Sequence, residues 1–208
     1  MTSPQPARPE LFAQSDRWSF IALFPLSVVI AVSIVLETVQ RLGAVIPNVD
    51  IPIELPLARD VAALGFTADG GGITAWADSG TVLLSDVTGG VHAALIAEPL
   101  IHGAAMLVAL ATAALFTLNL ARGVAFDARN TRLIAICGAA LALDLAARFP
   151  LDLVVMNHVR AALDQDVFQE TATDSGFFLN LFLIFALSAM GVAFAAGERL
   201  QRDTEGLV

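Results

Sequence analysis

The sequence predicts an all-α membrane protein, a four-transmembrane-helix bundle with a small β-rich extracytoplasmic loop between helices 1 and 2. Three observations carry that prediction. Of the 208 residues, 57% are hydrophobic and only 15% are charged, and the mean hydropathy is +0.75, a balance poorly suited to a water-soluble domain. Four segments reach the roughly 20 mainly apolar residues that a hydrocarbon core about 30 Å thick demands. The basic residues are distributed unequally about those segments, as insertion into a membrane requires.

The elements follow in order. Residues 1–17 are a polar, Pro-rich lead. The first span, 18–38, reads WSFIALFPLSVVIAVSIVLET and carries no charge before Glu37. A cleaved signal peptide would have an apolar region of about 7 to 15 residues and a small-residue cleavage site, so this longer run is read as a span, with Pro25 as a potential kink that neighbouring helices can accommodate in lipid. Residues 39–98 form a loop too long for a bare connection. Within it Ile51, Ile53, Leu55 and Leu57 alternate with Pro52, Glu54 and Pro56, the period-two pattern of an edge strand. ITAWA and TVLLSDV flank Asp78-Ser79-Gly80, which predicts a hairpin. The run Asp69-Gly70-Gly71-Gly72 lacks the spaced acidic ligands of a calcium loop and reads as a turn.

The second span is 99–121, and a short connection, 122–131, leads to a third span at 132–151 that contains Asp144 and Arg148. The acidic segment 152–175 follows, part of which, Asn157 to Phe168, reads as a prolongation of the third helix. The fourth span, 176–196, is free of charge, and 197–208 is a tail.

Orientation rests on arginine, because the chain has no lysine. With the N-terminus inside, Arg8, Arg17, Arg122, Arg129, Arg132, Arg199 and Arg202 are cytoplasmic, and only Arg41, Arg59 and Arg160 lie outside. This places both termini and the 122–131 connection in the cytoplasm. Twelve acidic residues then fall outside and carry almost the whole net charge of −9, which argues against nucleic acid as a direct partner there. Abundant Ala without Lys is the codon bias of a GC-rich bacterial genome. The expected location is therefore the bacterial inner membrane, with the lipid bilayer as first partner; a homo-oligomer or a larger membrane complex stays open. Cys137 is the only cysteine, so no internal disulfide forms and the thiol is read as a small packing group.

Gly123-Val124-Ala125-Phe126, Asn130 and Arg132-Leu133-Ile134-Ala135, together with the closing run from Ala193-Phe194-Ala195-Ala196-Gly197-Glu198-Arg199-Leu200 to Val208, resemble the inner loop and ending of a widespread bacterial membrane family, domain of unknown function 2975. The chain departs from that pattern at Ala125, where Pro is usual, and at Ile134, where Arg is frequent. The resemblance implies a four-span bacterial membrane protein without assigned biochemistry, often encoded beside a small helix-turn-helix transcription regulator. It carries no catalytic residues. It directs attention to a cytoplasmic surface of Phe126, Arg129, Asn130 and Arg132 with Phe194, Gly197, Arg199 and Leu200, as the docking site of such a regulator in a sensor or tether. In a purely structural reading, Asn130 caps the third helix and Gly197 loosens the end of the fourth.

Asp144, Arg148 and Asp152 recur every four residues and share one helix face, in the order that favours an Asp144–Arg148 ion pair. Charges within a span cost about 2.5 to 3.5 kcal/mol each to insert, so the face must meet protein or water. It reads as a structural pair or as a proton or ion relay, with Glu37 and Asn180 as candidate neighbours. The relay version gives the alternative function, a small permease or the accessory subunit of a transporter. His92, His102 and His158 match no ligand spacing and read as scattered surface histidines, so no metal or cofactor is expected. Rows of small residues (Ala105, Ala109 and Ala113; Gly138, Ala142 and Ala146; Ala189, Ala193 and Gly197) read as helix-packing seams. No nucleophile, base and oxyanion donor converge in the sequence, so no enzymatic activity is expected.

The predicted topology is checked by thiol labelling in a Cys137→Ala background. A single cysteine introduced by Asp69→Cys or Asp86→Cys should react with a membrane-impermeant reagent in intact cells whose outer surface is accessible, and one introduced by Asp203→Cys should not. Labelling of position 203 alone inverts the orientation.

Overall fold

The structure, a computed structural model, describes residues 14–56, 63–68, 71–76, 79–124, 126–163 and 175–205. Four long helices, α1 (Gln14–Val45), α2 (Gly89–Ala121), α3 (Ala128–Leu163) and α4 (Ser175–Glu205), dominate it, and four short strands, β1 (Ile51–Pro56), β2 (Ala63–Ala68), β3 (Gly71–Trp76) and β4 (Ser79–Leu84), lie between α1 and α2. Each helix contains a stretch long and apolar enough to cross a membrane: Leu23–Val45, Gly89–Ala121, Ala128–Ala162 and Gly176–Leu200. Large apolar side chains such as Phe24, Val29, Phe178, Phe182, Phe185 and Val192 are exposed on them, a surface suited to lipid. Hydroxyls in these stretches turn inward on their own helix: Ser27 donates to the Leu23 carbonyl, Ser33 to Val29, Thr112 to Val108 and Ser188 to Ile184, which satisfies them without water. These features suggest a multi-pass membrane protein.

Each helix runs beyond the span read from hydropathy, because backbone hydrogen bonding continues where apolar composition ends. The clearest case is α2, which begins at Gly89 and passes through Pro99. Proline removes one ladder bond, yet Pro99 is buried within the helix. Pro25 and Pro150 are likewise internal to α1 and α3, and α3 continues through Asn157 to Leu163; the rest of the expected prolongation, to Phe168, lies outside the described residues.

The chain divides into two compact units. One, the sheet unit, comprises Val35–Gly103 and Asp144–Asn180. Its core is Val45, Ile51, Val87 and Val91, with Ile53, Leu84, Leu95, Ile96 and Val155 packed against it. β1 buries Ile51 and half-buries Ile53 while Pro52 and Glu54 face out, so the period-two reading holds over residues 51–54; Leu57 lies outside the described residues. It pairs antiparallel with β4, from Ile51 opposite Leu84 to Pro56 opposite Ser79. β2 pairs with β3, from Ala63 opposite Trp76 to Ala68 opposite Gly71. The two ladders are therefore nested, and the hairpin expected between β3 and β4 is not formed: each strand has a different partner, and Asp78 lies outside the described residues, as do Asp69 and Gly70 of the expected glycine turn.

The reason lies at the helix junctions. Asn48, Asp50 and Asp86 adopt φ of 55°, 51° and 53°, a region that Asn and Asp tolerate better than other side chains. The Asn48 amide accepts from the Val87 N–H (3.2 Å) and donates to the Val87 carbonyl (3.3 Å), while its own carbonyl accepts from the Asp86 N–H (3.0 Å). Ser85 Oγ accepts from the Asp50 N–H at 2.9 Å. These bonds clamp the exit from α1 to the entry into α2, which sets β1 beside β4. His92 Nε2 donates to the Val45 carbonyl at 2.9 Å and closes the end of α1.

The turn unit takes in the chain up to Ile34, Ala104–Leu143 and Leu181 onward. α2 ends in a Schellman motif: Gly123 has φ 77°, its N–H donates to Leu120 (2.8 Å), and the Val124 N–H donates back to Asn119 (3.0 Å). Asp127 caps α3, its carboxylate accepting from the Arg129 N–H at 3.2 Å. Asn130, expected as that cap, lies three residues further on, inside the helix. Of the small-residue rows, Gly138 faces Leu187, whose Cβ would lie 3.8 Å from a Cβ added at the glycine, and Ala105 is buried, but Ala113, Ala146, Ala189 and Ala193 are exposed. Gly191, outside the rows, meets Ile134.

In the sheet unit α1 and α2 approach closely at Gly103, where an added Cβ would run into Thr38 Oγ1 and come within 3.3 Å of Thr38 Cγ2. Gly103→Ala should therefore destabilise the protein by about 1–3 kcal/mol through overpacking, read as a lowered unfolding midpoint in detergent. In a Thr38→Ala background the same change should cost measurably less; an equal cost in both backgrounds would refute the contact.

Candidate functional site

Three helices of the sheet unit each present a pair of polar groups four residues apart: Glu37 and Arg41 on α1, Glu98 and His102 on α2, Asp144 and Arg148 on α3. That spacing puts both members of a pair on one helix face, and the faces meet. Arg41 lies 3.4 Å from Glu37 and 3.7 Å from Glu98. Glu98 lies 3.9 Å from Arg148. His102 Nδ1 lies 2.8 Å from Arg148 Nη2 and 3.0 Å from Asp144 Oδ1. Asp144 is the buried terminus of this chain, its side chain only 4% exposed, whereas His102 and Arg148 are 33% and 37% exposed.

The expected direct pair of Asp144 with Arg148 is replaced by a bridged one. The two groups share a face, but the imidazole of His102 stands between them and each reaches the same ring nitrogen. Asp152, one turn further along α3, is exposed and interacts electrostatically with Glu98 and Arg148. Of the neighbours expected from the sequence, Glu37 joins the network through Arg41. His102, read as a scattered surface histidine, is its centre. The signal that could have found it is the match between the Glu98–His102 spacing and the Asp144–Arg148 spacing in adjacent spans.

Glu98, Ile101, Asp144, Arg148 and Leu151 line a cleft too narrow to take an organic ligand. Arg148 Nε is buried there without a hydrogen-bond partner. The groups that face one another here can exchange protons and hydrogen bonds among themselves. Among the described residues, no three His, Cys, Asp or Glu side chains are grouped so as to hold a metal ion.

The turn unit brings together part of the second predicted surface. The rings of Phe126 and Phe194 lie 5.4 Å apart, and Phe116 meets Phe194 edge-on at the same distance. Gly197 makes this possible, since a Cβ there would collide with the Phe126 ring; the glycine is a seat for an aromatic side chain inside α4. Asn130 is fully buried, accepts from Asn119 Nδ2 at 2.7 Å and donates to the Val124 carbonyl at 2.7 Å. It holds the turn together and offers nothing to a partner. Arg129, Arg132, Arg199 and Leu200 are exposed. Cys137 Sγ rests 3.7 Å from the Ala109 carbonyl between α3 and α2, a packing position.

No family model, curated protein or solved structure matches the chain.

If the ring of His102 is what satisfies Asp144, then His102→Leu should strand a buried carboxylate and cost about 1–3 kcal/mol or more. Adding Asp144→Leu should recover most of that loss, because a buried pair replaced as a whole is far less costly than one broken. A double-mutant cycle in detergent measures the coupling; strict additivity of the two changes would show that the groups act separately.

Proposed function

We propose that the chain is a multi-pass protein of the bacterial inner membrane, allied to domain of unknown function 2975, that acts as a membrane-bound sensor or tether for a cytoplasmic helix-turn-helix transcription regulator. The observation that carries this reading is the packed turn and tail: Phe126 seated on Gly197 and stacked with Phe194. Around it Arg129, Arg132, Arg199 and Leu200 are exposed, a mixture of apolar and cationic groups that suits a protein partner better than lipid tails. The arginine distribution supports placing this face in the cytoplasm.

A second reading is favoured by a different observation. The ionisable groups that link α1, α2 and α3 through Glu98 and His102 are costly in a bilayer and by default point to function. They support a proton-linked role as a small permease or a transporter's accessory subunit.

The regulator reading is tested by co-purification with the neighbouring gene's product, expected on this reading to be a helix-turn-helix protein. Arg129→Glu, and a chain truncated after Gly197, should each reduce recovery of the regulator at least tenfold while expression and insertion persist. Undiminished recovery with both variants would rule out this surface as the docking site.

A further inference from the structure

A single ring nitrogen cannot serve both of its neighbours at the site just described. When Nδ1 of His102 is bare, its lone pair accepts the Arg148 Nη2–H at 2.8 Å, and the Asp144 carboxylate at 3.0 Å faces that lone pair without a donor. When Nδ1 carries a proton, it donates to Asp144, and Arg148 faces an N–H where its acceptor had been. Each setting leaves one charged partner without its hydrogen bond to the ring, and for the buried Asp144 that is costly.

The surroundings supply the second position for the arginine. Glu98 Oε1 lies 3.9 Å from Arg148 Nη2, a short side-chain movement from a charge-assisted bond. The groups around His102 are Glu37 and Arg41 on α1, Glu98 on its own helix, and Asp144, Arg148 and Asp152 on α3. Residues 175–180 of α4, in the same unit, carry no charged side chain. The ring is one-third exposed and so open to proton exchange.

We propose that His102 is a proton-binding site whose occupancy hands Arg148 between two acceptors. With Nδ1 bare, Arg148 is held on the ring. When a proton from solvent binds Nδ1, the lone pair that accepted from Arg148 becomes an N–H bond donated to Asp144, and Arg148 moves to Glu98. Glu98 already contacts Arg41, so the transfer draws α3 into an ion-pair chain that runs through α2 to α1. This switch stands on the geometry at Nδ1 and is independent of the docking face.

The chain has only three histidines, so 15N-histidine labelling of the full protein in phosphatidylethanolamine–phosphatidylglycerol nanodiscs gives a spectrum in which His102 is identified by its loss in His102→Gln. In the unmodified protein at pH 7.5 the Nδ1 of His102 should show the unprotonated signature. At pH 5 it should show that of a hydrogen-bonded N–H. Arg148→Gln, which removes the competitor and changes a half-exposed side chain, should convert the ring to the Nδ1–H form already at pH 7.5. Asp144→Asn should leave Nδ1 bare at pH 7.5 and remove the carboxylate-bonded signature at pH 5. With 15N-arginine, the Arg148 Nε signal should shift in step with His102 on acidification, and the shared shift should be lost in Glu98→Gln. A ring already protonated at Nδ1 at pH 7.5 in the unmodified protein, or one whose protonated position is unchanged in Arg148→Gln, overturns the proposal.

Discussion

A carboxylate sealed from solvent within an apolar helix needs a polar partner, and much of the sheet unit follows from how Asp144 obtains one. The partner within hydrogen-bonding distance is the His102 ring, which donates to it when Nδ1 is protonated, and this brings that face of α2 against α3. Once His102 is placed, Glu98 one turn earlier on α2 comes within reach of Arg148, and its other oxygen within reach of Arg41 on α1. On the α1–α2 side the close approach of Gly103 to Thr38, one residue from His102, allows the helices to come together. An aliphatic residue at 144 would remove the need for the ring, and with it the reason for three helices to carry matched polar pairs at four-residue spacing.

The fold was legible in the sequence to the extent that composition determines it. Apolar runs of lipid-spanning length located all four helices, and alternation at Ile51 and Ile53 located β1. Helix ends were less legible, because hydropathy marks where lipid compatibility stops, while the ladder of α2 continues back through Pro99 to Gly89. Strand pairing was misread for a related reason. TVLLSDV next to a glycine turn has the local marks of a hairpin with the strand before it, but β4 pairs with β1 because Asn48 clamps the two helix junctions together. A side-chain clamp across 39 residues of sequence has no local signature.

The candidate site divides in the same way. Asp144, Arg148 and Asp152 stood out because charges in an apolar span are conspicuous and their spacing is regular. His102 did not, since one histidine in a span has no motif and its role depends on the helix opposite. At the turn, Phe126 and Phe194 were found together, but Asn130 was taken for a cap when Asp127 performs that task and Asn130 is buried in the turn's hydrogen bonds. Gly197 was read as a loosening residue, whereas its missing side chain is the space that Phe126 occupies. Each of these errors concerns what lies across from a residue, which spacing along one helix does not encode.

The two polar clusters also differ in kind. In the turn unit, Asn119 donates to Asn130, Asn130 donates to Val124, and the Val124 N–H donates back to the Asn119 carbonyl. These groups are neutral and each of these three donors has an acceptor, so this ring of hydrogen bonds contains no member that titrates. In the sheet unit, two charged neighbours compete for one ring nitrogen, and the competition is resolved by whether that nitrogen holds a proton. A closed neutral network gives rigidity, and an ionisable network with one bond too few gives alternatives. The competition for one proton-binding nitrogen therefore belongs to the sheet unit's cluster, whereas the closed ring of Asn119, Asn130 and Val124 holds its part of the turn in one arrangement.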